Sequence, residues 1–465
     1  MILSLLMELG KPVIIPPLDP NFVPASLWIR DFNSLVEQSG QGIPFRIALQ
    51  QPNGATVVKS GKLLPETHPQ AELNHLRVER LLKFMLWACG GSRWFWDGPQ
   101  EVAEFLNKRF SSHPCGGFDR DFMSKVYGEP FCGKSGSEIP EPRGLASSLG
   151  RNLKGFRIGF DLGGSDRKVA AVIDGEVTFS EETPWDPYHQ TDPEYHKAGI
   201  MDSIEKAKAH LPRLDAIGGS SAGVFVDNRP RVASLFRGIS DSDFTEKIST
   251  LFIDVGKELG VPLSIINDGE VTALAASMSL DENAVLGIAM GTSEATGYVD
   301  TQGRVTSWLN ELAFAPVDYS PNAPADEWSG DVGCGVQYFS QQAVGRLIPK
   351  TSLSVDSNLG LPEKLERVQE FMAEGNGEAA SIYRTIGTYL GYGVAHYASF
   401  YSLSHALILG RVTSGEGGTI ILEEAKKVLE TEFPDLNDRI TFHQPDEKNK
   451  RHGQAIAAAS LPSID

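Results

Sequence analysis

IGFDLGGSDRKVAAVIDGEVTF (residues 158–179) lies over LGIAMGTSEATGYVDTQGRVTS (residues 286–307) at a constant shift of 128 residues, with no gap. Gly159 meets Gly287, Gly163 meets Gly291, Ser165 meets Ser293, Asp166 meets Glu294, Gly175 meets Gly303 and Val177 meets Val305. Each copy reads as a strand, a tight Gly/Ser turn, a second strand, a turn and a third strand. Self-similarity of this kind marks a duplicated structural unit.

After each copy the pattern alternates helix and strand. In the first half, helices are expected near 193–210, 242–259 and 271–278, with strands at 214–218 and 262–266. The second half gives helices near 377–400 and 418–431, strands at 406–409 and 439–443, and a last small-residue helix at 453–459. Such alternation implies mixed sheets with helices on their faces. The expected fold is therefore α/β, with two similar domains at 155–283 and 284–465 and a ligand-binding cleft between them. The same pattern also fits a duplicated fold with no activity.

In front of the repeat, SGSEIPEPRGLASSLGRN (135–152) has linker composition and places a boundary near residue 154. Residues 1–154 read as an α+β extension. Asn53-Gly54 between apolar runs predicts a hairpin. Val78, Leu81, Leu82, Met85, Leu86 and Cys89 recur at helical spacing, and a second helix starts near Pro99 and buries Val102, Phe105, Leu106 and Phe110. The connector at 90–98, with Trp94 and Trp96, is longer than a helix-turn-helix allows. A packing or interface module is the better reading.

The chain has 465 residues and a net charge of −18. Residues 1–150 are balanced, with 15 basic and 15 acidic side chains, so the rest carries the whole excess. That balance disfavours nucleic acid as a partner. No stretch approaches the roughly 20 apolar residues needed to span a bilayer, and the apolar start lacks the basic region of a signal peptide. Four scattered cysteines without CxxC spacing suit a reducing cytoplasm. His113 and Cys115 read as loop residues rather than half of a metal site.

The first turn delivers Asp161 at a strand end, then Gly163, Gly164 and Ser165. Glycines let a backbone approach a phosphate closely and aim its N–H groups inward, and an Asp there can hold a metal ion directly or through water. The second turn offers Gly291, Thr292 and Ser293, with Ala289 in place of the acid. Between the turns stands Asn267-Asp268-Gly269, where an expected strand meets an expected helix. An Asp there can accept a proton from a substrate hydroxyl; it can equally be a helix cap.

These motifs resemble, in order and spacing over about residues 156–460, the ROK family of sugar kinases and repressors within the actin and hexokinase superfamily. The resemblance implies duplicated actin-like ATPase domains of the ribonuclease H-like kind, with the helix near 453–460 packing back on the first. It implies ATP and Mg²⁺ as cofactors. Asp161, Gly163, Gly164, Ser165, Gly291, Thr292, Ser293 and Gly410 would hold the nucleotide, Asp161 would hold Mg²⁺, and Asp268 would be the catalytic base. Asn267, Glu311, Gly223 and Arg237 would meet a sugar or sugar-like substrate; a homodimer is a further expectation. The function implied is phosphorylation of a sugar hydroxyl, with a non-catalytic sugar sensor and a superfamily ATPase as alternatives.

The chain departs from the family in several places. Phe314 stands where a zinc-ligating His is expected, and only Gly330, Gly333 and Cys334 match the zinc motif. Tetrahedral structural zinc needs four ligands, so no zinc is expected. Val336 replaces another sugar contact. Glu294, in the second turn, would repel phosphates unless Arg167 or Lys168 offset it. Arg237 in place of a neutral Asn suits an anionic substrate, unless it is a solvated residue paired with Asp241.

Overall fold

The computed structural model describes residues 9–136, 138–144, 149–445 and 450–464. The apolar start at 1–8 and part of the expected linker, 137 and 145–148, lie outside the described residues.

The N-terminal segment builds a four-stranded sheet from β1 (Ile43–Gln50), β2 (Thr56–Leu63), β3 (Arg93–Asp97) and β4 (Cys132–Ser135), in the order β2-β1-β3-β4. β1 and β2 form the expected hairpin, with Gly54 at φ 87° in its turn. Trp94 and Trp96 belong to β3, which separates helices Leu73–Cys89 and Gln100–Ser112. Cys115 is not a loop residue but lies in the helix Pro114–Tyr127, while His113 stands between two helices and caps that one, its ring accepting the Cys115 N–H at 3.3 Å.

The first lobe is a five-stranded sheet of β5 (Phe156–Leu162), β6 (Asp166–Ile173), β7 (Glu176–Pro184), β8 (Ala216–Ser221) and β11 (Leu263–Asn267), ordered β11-β8-β5-β6-β7. β11, β8 and β5 run parallel, while β6 and β7 fold back antiparallel. A small hairpin, β9 (Val224–Val226) and β10 (Arg229–Val232), stands apart from that sheet. The second lobe orders β12 (Val285–Met290), β13 (Glu294–Val299), β14 (His405–Leu409) and β15 (Thr441–His443) as β13-β12-β14-β15. The expected helices form at Pro193–Lys208, Asp268–Leu280, Gly377–Tyr397 and Glu416–Glu432.

The duplication is incomplete in the second copy. Its third strand is reduced to one isolated bridge, Val299 with Val305. Residues 307–311 leave the sheet for the N-terminal segment. Gln51 Nε2 donates to Ser307 O at 2.8 Å, and the N–H groups of Asn310 and Glu311 donate to Ala88 O and Trp87 O at 3.0 and 2.8 Å. Backbone groups satisfied there are not available to a third strand.

One buried apolar cluster joins Trp28, Leu82, Trp87 and Trp94 of the N-terminal segment to Leu286, Tyr338 and Tyr389 of the second lobe. The first lobe has its own cluster around Ile158, Phe160, Ile217 and Phe252. The helix Lys450–Ala459 lies against the first sheet, where Gly159 and Gly218 leave no room for a Cβ beneath the carbonyls of Ala455 and Ala458. Those glycines set how closely the helix approaches.

Candidate functional site

β11 ends at Asn267, whose φ of −63° and ψ of 146° begin the helix Asp268–Leu280. Its Oδ1 accepts the Gly269 N–H at 2.7 Å, and its Nδ2 donates to Gly223 O at 2.8 Å. Asn267 is therefore the cap, and it ties the Gly223 loop to the helix start. Asp268 is left as the first helical residue, on the wall of a cavity of about 960 Å³ between the lobes.

Burial, reinforced by the charge of Asp161, pushes the Asp268 carboxyl up to about 6, against the opposing pull of its own and the Gly269 N–H. Glu311 lies on the same wall and is pushed up to about 7 by burial and then by Asp268. Asp161 is raised by burial, and its Oδ1 accepts the Ser220 hydroxyl at 2.6 Å. Its other oxygen makes no hydrogen bond among the described residues. One such oxygen suits Mg²⁺, which commonly takes one or two carboxylates and completes its shell with water and phosphate. Among the described residues no group of three or more His, Cys, Asp or Glu side chains is arranged to hold a metal ion.

The structure brings Asn267, Asp268, Gly223, Thr292, Ser293, Glu311 and Arg237 to one cavity wall. Asp161, Gly163, Gly164, Ser165, Gly291 and Gly410 lie outside that wall. The first turn makes its own contacts, with Ser165 exposed and Gly163 and Gly164 half-buried. Trp185 Nε1 donates to Gly163 O at 2.8 Å, the Ser165 hydroxyl donates to Asp166 Oδ2 at 2.9 Å, and a Cβ at Gly164 would collide with the Tyr188 ring. Gly410, at φ 103°, allows its backbone to meet that of Met290, just before the second turn. Arg237 stacks over Tyr188 at 4.0 Å from the ring centroid and makes no ion pair with Asp241.

Two expectations about charge need correction. Glu294 does not face the cleft. Alternation along β13 puts Ser293 and Ala295 on the cavity side and turns Glu294 inward beside Gly335. Burial pushes its carboxyl up to about 8, so it is neutral at pH 7. Arg167 and Lys168 do not offset it: Arg167 binds Asp202 at 2.7 Å and Lys168 lies 3.4 Å from Asp166.

Phe314 and Val336, where polar contacts are expected, both line the cavity. Phe314 packs against Trp87 at 4.4 Å between centroids and against Phe118 and Phe122 at 5.5 and 6.3 Å. The loop that carries Asp331 and Cys334 is held by cations of the N-terminal segment. Asp331 lies 3.0 Å from Arg80, 2.6 Å from Lys83 and 3.6 Å from Arg109.

Sequence reasoning missed Phe122, Lys125 and Trp328, which also line the cavity, as does Arg231, which with Arg229 reads in the sequence as a small basic patch beside Arg237. Phe122 and Lys125 sit on the helix Pro114–Tyr127, more than 100 residues from the repeat in sequence for the second copy, and no spacing links them to it. The one available signal was Trp328, a large apolar residue in a polar loop, which proves 76% exposed.

No family model matches the chain, and no curated protein matches it. Solved structures do. A ROK hexokinase from Thermus thermophilus is 18% identical with a TM-score of 0.52, covering 66% of this chain and 97% of its own. A ROK-family transcriptional regulator, a homologue of the E. coli MLC protein, is 19% identical with a TM-score of 0.51, covering 66% of this chain and 79% of its own. A ROK-family protein from Streptococcus pneumoniae TIGR4, in complex with sucrose, is 11% identical with a TM-score of 0.50, covering 66% of this chain and 97% of its own. Two-thirds of the chain thus has the ROK fold. Among the described residues no helix is long and apolar enough to cross a membrane.

Proposed function

We propose that this chain is a ROK-like phosphotransferase that moves a phosphoryl group from ATP, with Mg²⁺, to a hydroxyl of a sugar or sugar-like molecule. The observation that carries this reading is Asp268. It lies on the wall of the interlobe cavity at the start of a helix capped by Asn267, one carboxyl oxygen sharing the Gly269 N–H at 3.0 Å, with its pKa raised to about 6. A base of that strength is mostly ionised at pH 7 and can take the acceptor's proton as its oxygen attacks.

Bound Mg-ATP would supply the phosphoryl group and the metal's charge, with Asp161 toward the metal and Gly163, Gly164, Ser165, Gly291, Thr292, Ser293 and Gly410 toward the nucleotide. The chain's own part is positioning, which dominates phosphoryl transfer. Glu311 accepts from acceptor hydroxyls, and Gly223, fixed by Asn267, shapes the loop beneath them. The test is ADP release by the full chain with Mg-ATP and a panel of sugars. Acceptor-dependent release, with the product phosphorylated on the sugar, is expected. Release without any acceptor would mark an ATPase.

A sensor that does not catalyse is the second reading. Trp185 and Tyr188 packed against Gly163 and Gly164 of the first turn favour it, as does the likeness to a ROK-family transcriptional regulator. Such a protein would bind a sugar and release no ADP.

A further inference from the structure

We infer that the cavity takes its ligand by an anionic group, a carboxylate or a phosphate, held by Lys125, Arg231 and Arg237. The inference rests on the reading of this cavity as the acceptor site. All three cations line it, and among the described residues none has a carboxylate within ion-pair distance. They come from two different parts of the chain. Lys125 is on the last turn of the helix Pro114–Tyr127, while Arg231 lies on β10 of the first lobe. Arg231 reaches the end of that helix, its Nη1 3.9 Å from the position a Cβ would take on Gly128, the helix's C-cap.

The Arg231 Nε is buried with no hydrogen-bond partner. A buried, unpaired donor on a cation is costly, and a bound anion would relieve it. The Arg237 guanidinium lies over the Tyr188 ring, 4.0 Å from its centroid, which limits its motion, and among the described residues it donates no hydrogen bond to a side chain or carbonyl. Trp328, on the same wall, adds an apolar face suited to the carbon side of a sugar ring.

The cavity's own acids do not cancel these charges. Asp326 is occupied, accepting from the N–H of Trp328 and from the N–H and hydroxyl of Ser329. Asp268 and Glu311 belong to the reacting end, and neither lies within ion-pair distance of Lys125, Arg231 or Arg237. Asp241 makes no ion pair with any of the three cations.

The test is calorimetric binding of glucose, glucuronate and glucose 6-phosphate to the full chain without nucleotide. Glucuronate or glucose 6-phosphate is expected to bind about 10-fold or more tightly than glucose, and to weaken with salt. Lys125→Ala and Arg237→Ala should each weaken that anion about 10-fold or more without lowering the thermal midpoint. Which anion wins separates the sugar acid from the sugar phosphate. Equal binding of all three, no binding of any, or anion binding unchanged in both variants would overturn the inference. Because the readout is binding without turnover, absence of phosphoryl transfer would refute the kinase reading while leaving this result intact.

Discussion

Lys83 Nζ lies 2.6 Å from Asp331 Oδ2, with the Lys83 side chain fully buried and that of Asp331 nearly so. The pair joins the helix Leu73–Cys89 to the second lobe, and Arg80, Arg109, Glu79 and Asp119 extend it into a network. Despite burial, Arg80 and Lys83 hold the Asp331 carboxyl far below the usual carboxylate range. Breaking one member strands a buried charge.

Lys83→Met or Asp331→Asn should therefore destabilise the fold by about 3–5 kcal/mol, measured by chemical denaturation. The contribution of Asp331 is present above its unfolded pKa and is lost only as pH falls through its depressed folded value. The penalty for Asp331→Asn should accordingly be constant from pH 5 to pH 8. A penalty that vanishes within that window would contradict the assignment.

Asp268→Asn should lower phosphoryl transfer by about 10²–10⁴ with the fold intact. Asn267, not Asp268, caps the helix, so removing the charge leaves the cap in place. In the wild type the rate should rise with pH through about 6 and then level, because the base must be ionised. Asp161→Asn should move that rise to lower pH by removing a neighbouring negative charge. An unfolded Asp268→Asn protein, or a rate indifferent to pH between 5 and 7, would count against the base.

Asn267→Ala should cost about 1 kcal/mol as a lost cap and release the Gly223 loop. Kinetics should show a raised KM with a smaller change in kcat, since Asn267 positions the loop rather than meeting the reacting atoms. An equal fall in kcat and kcat/KM would place it in the chemistry instead.

Glu294→Gln should gain on wild type progressively as pH rises from about 4.5, the ordinary Glu value, to about 8, and the difference should level above that. The wild-type carboxyl is neutral when buried and resists ionising until about 8. A folded pKa above the unfolded one makes stability fall as pH rises through the interval between them. Thermal midpoints of the two proteins across pH 4 to 9 give the check, and a difference that does not change between pH 4.5 and 8 would contradict the assignment.

Gly164→Ala should destabilise by about 1–3 kcal/mol, because its Cβ meets the Tyr188 ring. In a Tyr188→Ala background the same change should cost much less. Equal costs in both backgrounds would show that Tyr188 is not what Gly164 accommodates.

The sequence by itself determined the duplicated α/β architecture and the order of its motifs. These are written locally: in glycine turns at a constant shift, in periods of two and 3.6, and in a strand running into Asn267-Asp268. It left open which of Asn267 and Asp268 caps the helix, because either side chain can bond the same free N–H group, and only the backbone decides: Asn267 is extended and Asp268 is the first helical residue. It could not show Glu79, Arg80 and Lys83 as buried, since the helix pattern assigns charged positions to solvent until the Asp331 loop covers them. The lost third strand of the second copy and the place of Lys125 in the cavity have the same origin. Each depends on the N-terminal segment closing against the two lobes, and contacts between residues so far apart in the chain leave no periodic trace in it.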